Sequence, residues 1–429
     1  MRTQVKRIFS GITPLSGGDA YTSAEAGVAF VRSGDFTEEN TLDFTDLNYI
    51  KPEIHQNLMK SSQLQKGDLL IAIIGATIGK VGLYLYDRPA NVSQNVAVVR
   101  LNNELLSEFV QAFLMTQTGQ LLIERIKRDS ARANINLEEI GSLQIPLLAL
   151  SKQQQVVDQL NQALAHKQQQ EQAAQALLAG LDGYLLGELG IALPPPHQSS
   201  APFFRSYGSI REGQRWDALY NEGDIYHHIV QGTYPMASLN SVMTYCQNGF
   251  AAGRDDQDIV NKGVIQIRPT NMNASRELDF SRNVYVSEAL IKSQSYDLLQ
   301  QGEVLFNNTN SQELVGKTVF FNLPGYYFCS NHLTRIRTAN ALNPGFLTYL
   351  FNAYQRNGIF YRLCVNWNNQ SGINTDALRK IPLPLPPLAK QVEIVTALDD
   401  RKRQALSISQ QAQTNFAAAK AAIETLILN

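Results

Sequence analysis

A chain of 429 residues, 44% of them hydrophobic, is long enough for two to four domains of about 150 residues each and for an ordinary core. A net charge of −1 and a pI near 6.6 exclude a simple basic nucleic-acid binder, so any nucleic-acid surface must be a local concentration of polar and basic side chains. No apolar run reaches the roughly 18 residues of a membrane span, "MRTQVKRIFSG" lacks the apolar stretch of a signal peptide, and the scattered Cys246, Cys329 and Cys364 fit a reducing cytoplasm rather than a disulfide framework or a zinc site.

The first elements are short β-branched runs broken by Gly, Asp, Asn and Pro: "VAFVR" from Val28, "DLLIAII" from Asp68, "VGLYLY" from Val81 and "NVAVVRL" from Asn95. Between the second and third lies "IIGATIGKVG" (73–82), with the glycines and lysine of a phosphate loop. That motif needs Gly, four residues, then Gly-Lys and a Ser or Thr whose hydroxyl holds magnesium. Here Gly75 and Gly79 stand one residue too close, and Val81 follows Lys80. The stretch therefore reads as a glycine-rich hairpin or bulge after a buried strand. Apolar spacing of three and four predicts helix over 105–126. "ERIKRDSARANIN" (124–136) follows as a basic, polar loop, then a Pro-containing extended segment. A long helix starts near Ser151, with a seam through Val157, Leu160, Leu164, Lys167, Glu171, Ala174, Leu178, Leu181 and Leu185. That is a heptad pattern with a polar middle.

The same order then recurs. "INLEEIGSLQIPLLALSKQQQVV" (135–157) aligns without a gap on "INTDALRKIPLPLPPLAKQVEIV" (373–395), matching Asn136 with Asn374, Pro146 with Pro384, Lys152-Gln153 with Lys390-Gln391, and Val157 with Val395. Upstream, "GVAFVR" parallels "GVIQIR" (263–268), "LQKGDLLI" (64–71) parallels "LQQGEVLF" (299–306), "IGKV" (78–81) parallels "VGKT" (315–318), and "SQNVAVVR" (93–100) parallels "SNHLTRIR" (330–337). The second copy has Ser311-Gln312 where Gly75 would fall, a further argument against a phosphate loop. A second helical patch covers 343–363 and a polar Asn-rich loop follows. A second long helix from near Ala389 carries a seam through Ile394, Leu398, Arg401, Ala405, Ile408, Ala412, Ala419 and Leu426. One such helix per repeat predicts that the two pair. At 1.5 Å per residue each spans about 55 Å, long enough to act as a ruler.

Motifs for catalysis are missing. There is no Asn/Asp-Pro-Pro-aromatic loop of an adenine methyltransferase, only "LPPPH" (193–197). There is no G-x-G-x-x-G after a strand, no H-E-x-x-H and no G-x-S-x-G. His227-His228 reads as a solvated pair in a linker-like segment.

The duplicated order carries a resemblance. A Gly-Asp/Glu step comes before an apolar strand ("KGDLLIAI", "QGEVLFNN"), then a Gly-Lys turn, a Ser-Gln-Asn or Ser-Asn-His start to the next strand, and "IN…IP.P.L..Q" leading into a long helix. Together these resemble the DNA-specificity subunits of type I restriction–modification systems over nearly the full chain. "GQRWDALYNEGD" (213–224) is similar to the start of that family's second recognition domain. The resemblance implies an α+β fold: two β-rich target recognition domains related by internal duplication, joined by two long helices forming an antiparallel coiled coil. The expected parts are a first recognition domain at 1–148, a spacer helix and linker at 149–195, a second recognition domain at 196–387 and a second spacer helix at 388–429. It implies a non-catalytic, cytoplasmic subunit related to itself by a pseudo-twofold axis. Each domain would read one half of a split double-stranded DNA target, with helix length setting the unread gap. The subunit would hold two methyltransferase subunits and, in some assemblies, restriction or translocase subunits. S-adenosylmethionine and ATP with magnesium would bind those partners, with no cofactor or metal in this chain. No membrane partner is implied.

Polar side chains on loops are suited to reading base edges. The candidates in the first domain are Arg32, Lys80, Ser93, Gln94, Asn95, Arg128, Arg132 and Asn134. In the second they are Arg254, Arg268, Asn308, Asn310, Lys317, Asn331, His332, Trp367, Asn368 and Gln370. Two alternatives stand beside this reading: a specificity protein of another phage-defence or type II-like methylase/nuclease assembly, and a scaffolding coiled coil that reads no DNA.

Overall fold

The computed structural model describes residues 1–15, 18–128, 133–193, 226–253, 256–257 and 263–429. Arg132, Arg254 and the segment 213–224 lie outside the described residues. The chain forms two compact units, Met1–Ala173 with Ser407–Asn429, and Ala174–Leu406.

In the first unit the strands are β1 (Val5–Ser10), β2 (Tyr21–Thr22), β3 (Val28–Val31), β4 (Asn48–Ile50), β5 (Asp68–Ala72), β6 (Val81–Tyr84), β7 (Ala90–Val92) and β8 (Val96–Leu101). They make an antiparallel sheet of order β1-β8-β5-β6 and a second sheet β2-β4-β3-β7, in which β3 and β7 run parallel. The two-residue strand period sorts the first sheet's side chains. Leu69, Ile71, Ala97 and Val99 face one core with the helices; Leu70, Ala72, Val96 and Val98 face another with the second sheet. Both faces are covered, which is why these strands read as unbroken apolar runs.

The second unit repeats the plan with β9 (Met236–Ser238), β10 (Met243–Asn248), β11 (Val264–Ile267), β12 (Tyr285–Val286), β13 (Glu303–Asn307), β14 (Thr309–Asn310), β15 (Thr318–Phe321), β16 (Tyr327–Cys329), β17 (Leu333–Thr338), β18 (Val365–Trp367), β19 (Gln370–Gly372) and β20 (Pro382–Pro384). The order β10-β17-β13-β15 and the parallel pair β11–β16 match their counterparts in the first unit. The register shift near Val5/Arg7 also recurs, near Met243/Tyr245. "IIGATIGKVG" is the hairpin between β5 and β6. Gly79 closes it with φ +89°, and its counterpart Gly316 has φ +92°. The Asn-rich loop, expected to be irregular, is instead the β18–β19 hairpin. Asn368 (φ 39°) and Asn369 (φ 64°) form its turn, a left-handed conformation that Asn tolerates and that suits two-residue hairpin loops.

Each helical patch is broken. Ser107–Leu114 and Gln117–Ile126 meet at Thr116, whose side chain caps the second helix; Pro344–Arg356 and Ile359–Leu363 meet at Gly358. The long helices run Leu150–Leu189 and Leu388–Leu428, 40 and 41 residues and so about 60 Å each. Leu160, Lys167, Ala174 and Leu181 are buried at heptad spacing. The second seam passes through Ile394, Leu398, Ala405, Ala412, Phe416, Ile423 and Ile427. It therefore differs from the predicted seam at its end, where Phe416, Ile423 and Ile427 are the buried residues. Leu178 of the first predicted seam is 44% exposed. In the first unit the start of one helix (Val156, Val157, Leu160) shares a core with the end of the other (Phe416, Ile423, Ile427). In the second unit Lys390 pairs with Glu188 at 2.8 Å, and Arg401 lies 3.8 Å from the Tyr184 ring centroid. Within each unit the two helices are thus antiparallel.

Candidate nucleic-acid interface

Residues that recur in both halves build the frame. Asp68 is buried at the start of β5, and Arg100 on β8 donates Nε and Nη2 to its two oxygens at 2.7 Å each. In the second unit Glu303 accepts Nε (3.1 Å) and Nη2 (2.9 Å) of Arg335 and Nε of Arg337 (2.6 Å). The Gly-Asp/Glu step and the arginine ending the later strand are therefore ion-pair partners. Gln153 and Gln391 are fully buried staples. Gln153 accepts from the Leu106 N–H and donates to the Glu104 and Leu148 carbonyls; Gln391 accepts from the Asn343 N–H and donates to the Ala341 and Pro386 carbonyls. Asn136 and Asn374 cap the short helices Leu137–Ser142 and Thr375–Arg379.

The candidate residues, some matched between the copies and some not, gather at one end of the sheets. In the first unit the Ser93 N–H donates to the Val31 carbonyl, which sets Ser93 beside Arg32. The Ile73 N–H donates to the Asn95 carbonyl, Ile74 bridges to Asn134, and Asn134 to Arg128. Arg32, Ser93 and Asn95, with Thr13, line a cavity of about 480 Å³ that also holds Asp35, Asp43 and Asp46. Gln94 is exposed, its N–H held by the Thr13 hydroxyl. In the second unit the Ser330 N–H donates to the Ile267 carbonyl beside Arg268, and the Asn308 N–H to His332. Strand β14, with Asn310, pairs with β19, which joins Trp367, Asn368 and Gln370 to the same end; Asn331 is exposed there.

Several candidates are engaged by the fold itself. Asn308 is only 3% exposed, and its amide donates to Asn248, Thr334 and the Asn331 carbonyl, so it holds the loops together rather than facing a ligand. Lys80 pairs with Glu38 at 2.7 Å. Lys317 donates to the Met272 carbonyl at 2.5 Å, and burial, with the Arg276 guanidinium nearby, holds its ammonium below the usual lysine value. These two matched lysines each hold a loop of their own unit. Arg128 pairs with Glu139 at 2.6 Å yet stays 58% exposed. Arg32 contacts Asp35 at 3.2 Å, and Arg268 contacts Gln266 at 3.2 Å. The Nε of both arginines and the hydroxyls of Ser93 and Ser330 are buried with no partner among the described residues. Ser330 was missed among the candidates; its alignment with Ser93 is the signal that carries it. Asn369 was missed too, though it sits between two candidates in an exposed turn.

Among the described residues no group of His, Cys, Asp and Glu could hold a metal ion, and no helix is long and apolar enough to cross a membrane. His227 and His228 sit edge to face at 5.3 Å, with Gln231 hydrogen-bonded to His227. The three cysteines are buried and none is in a disulfide, and burial pushes the Cys329 thiol up to about 12.

A family model described as the type I restriction modification DNA specificity domain matches residues 22–176 and 236–415. The chain is 25% identical over 169 residues to a putative type I restriction enzyme MjaX specificity subunit of Methanocaldococcus jannaschii, covering 39% of each chain. It is 26% identical over 156 residues to the type I restriction enzyme EcoBI specificity subunit of Escherichia coli, covering 36% of this chain and 32% of that one. The aligned stretches thus span 39% and 32% of these two relatives' own lengths. A solved structure, described as the structural basis of complex assembly and conformational transition of the type I R-M system, shares the fold with a TM-score of 0.57. It is 14% identical and covers 98% of this chain and 96% of that one.

Proposed function

The chain belongs to the type I restriction–modification DNA-specificity family, and we propose on that premise that it is the subunit that chooses the DNA site. Each unit reads one half of a bipartite duplex target. The observation that carries this is the contrast within the duplication. Sheet order, buried ion pair and glutamine staple recur, while the sheet ends present Gln94-Asn95 and Arg128 in one unit against Asn331-His332 and Trp367-Asn368 in the other. A frame held constant under varied polar surface suits one docking geometry applied to two sequences.

The chain does not carry out the chemistry. Two methyltransferase subunits, and restriction subunits where present, dock on it in the cytoplasm and bring S-adenosylmethionine and ATP with magnesium. The test is selection from random-sequence duplexes by the full chain together with its methyltransferase partner. A bipartite motif with a fixed gap is expected. Exchange of residues 1–148 for the matching part of another family member is expected to change one half-site only. Enrichment of no bipartite motif, or simultaneous change of both halves, would overturn the reading.

A further inference from the structure

We infer that the β18–β19 hairpin of the second unit is a ribbon that enters the DNA major groove, and that its amide side chains select adenine in that unit's half-site. The inference rests on the DNA-reading role proposed above and adds which element reads and which base it prefers. Residues 365–370 are exposed one after another, in regular hairpin pairing rather than in an irregular loop. Val365 and Trp367 are 48% and 46% exposed, large apolar side chains that the fold does not need to place in water. The Trp367 ring lies against Gly372, where a Cβ would stand 2.5 Å from it, so one face is packed and the indole is held in place. Strand β18 is a bare edge, since β19 pairs with β14 on its other side.

A two-stranded ribbon fits the major groove, about 12 Å wide, and Asn or Gln can pair in bidentate fashion with adenine N6 and N7. Asn366 is already held, donating to Gln312 and accepting from Ser371. Asn368, Asn369 and Gln370 project at the tip, and among the described residues no partner for their amides is found. Trp367 beside them suits an apolar contact with the thymine methyl of the same base pair. In sequence the matching stretch of the first unit, 128–134, is basic rather than amide-rich. Matched stretches with different side-chain chemistry fit one frame serving two half-sequences.

The turn offers a clean variant. Glycine accepts the left-handed conformation of both turn residues, so Asn368→Gly with Asn369→Gly keeps the hairpin and removes two amides. Gln370→Ala on the exposed strand removes the third, alone or in combination. The full chain with its methyltransferase partner is used to select from random-sequence duplexes, and thermal unfolding confirms that the variants fold as the parent does. The parent is expected to require adenine at one or two positions of the half-site that is left unchanged when residues 1–148 are exchanged. The triple variant is expected to lose that preference by about 5- to 150-fold per amide–adenine pair, with the other half-site intact. Gln370→Ala alone gives the partial loss if the turn variant unfolds. An unchanged half-site in the variants, or a parental half-site without adenine, overturns the ribbon assignment and leaves bipartite reading in place. Absence of any bipartite motif for the parent overturns both.

Discussion

Glu303 is the residue on which most of the second sheet's electrostatics converges. It is fully buried, and so is Arg335, whose guanidinium also donates to the Leu298 carbonyl. Removing the carboxylate leaves a buried cation beside a second arginine, Arg337. Glu303→Ala is therefore expected to destabilise the chain by roughly 3–5 kcal/mol in urea unfolding. Asp68→Ala in the first unit should cost less, because the arginine it pairs with, Arg100, keeps 22% of its side chain in water and can rehydrate. Equal losses at the two sites would contradict this account. The sequence made the pairing visible only in part. The Gly-Asp/Glu step was evident as a repeated pattern, but its partner lies 32 positions along the chain, and spacing of that kind says nothing about contact. The Lys80–Glu38 pair was hidden for the same reason, since Glu38 comes from a loop 42 positions upstream.

At the scale of elements, the glycine hairpins show how strain and space divide a substitution's cost. Gly67 and Gly302 have φ +89° and +93°, with open space where a Cβ would go. Alanine there should cost only the backbone penalty, about 1 kcal/mol. At Gly316 a Cβ would stand 2.2 Å from Phe360, itself fully buried, whereas at Gly79 the nearest atom is the Ile123 side chain at 3.0 Å. Thermal or urea unfolding should therefore rank Gly316→Ala well above Gly79→Ala, and that above Gly302→Ala. The helix–loop contact of the first unit makes a pH prediction. Burial alone would lower the Lys167 ammonium, but Glu171 and Glu39, at 2.8 and 2.5 Å, outweigh it and raise the pKa above the usual lysine value. A cation with a raised folded pKa stabilises fully below its unfolded pKa and loses that contribution as pH climbs through the folded value. The Thr37–Thr41 loop should then gain amide exchange at strongly alkaline pH beyond the intrinsic increase, and Lys167→Met should abolish the excess. Strands, repeat and long helices were legible because period-2 and heptad burial write themselves into sequence. The β18–β19 hairpin was not, because "NWNNQ" lacks a glycine, and two adjacent asparagines read equally well as an irregular loop. The end of the second seam was missed because Phe416 and Ala419 both continue a three-four spacing, and only packing against Lys167, 5.8 Å from the Phe416 ring centroid, decides between them.

For the whole molecule, the decisive feature is that each long helix belongs to both units, its residues dividing at Ala173/Ala174 in the first and at Leu406/Ser407 in the second. A change of helix length therefore acts on the chain between the two reading surfaces and on neither surface directly. Burial at Leu160, Lys167, Ala174 and Leu181 repeats every heptad, so inserting one heptad preserves the buried face, apart from about 20° of drift. One heptad placed in each helix, within 160–180 of the first and 398–418 of the second, adds about 10 Å of helix. That length corresponds to about three base pairs of duplex. The expected result, read by selection from random-sequence duplexes or by the methylation pattern of a host carrying the variant, is an unread gap longer by about three base pairs between unchanged half-sites. Insertion into one helix only should break the pairing within both units, because each contains parts of both helices, and should appear as lost stability rather than a new gap. A variant that keeps its gap but changes a half-site would mean that the helices shape the reading surfaces themselves, and the division of labour between frame and ruler would have to be abandoned.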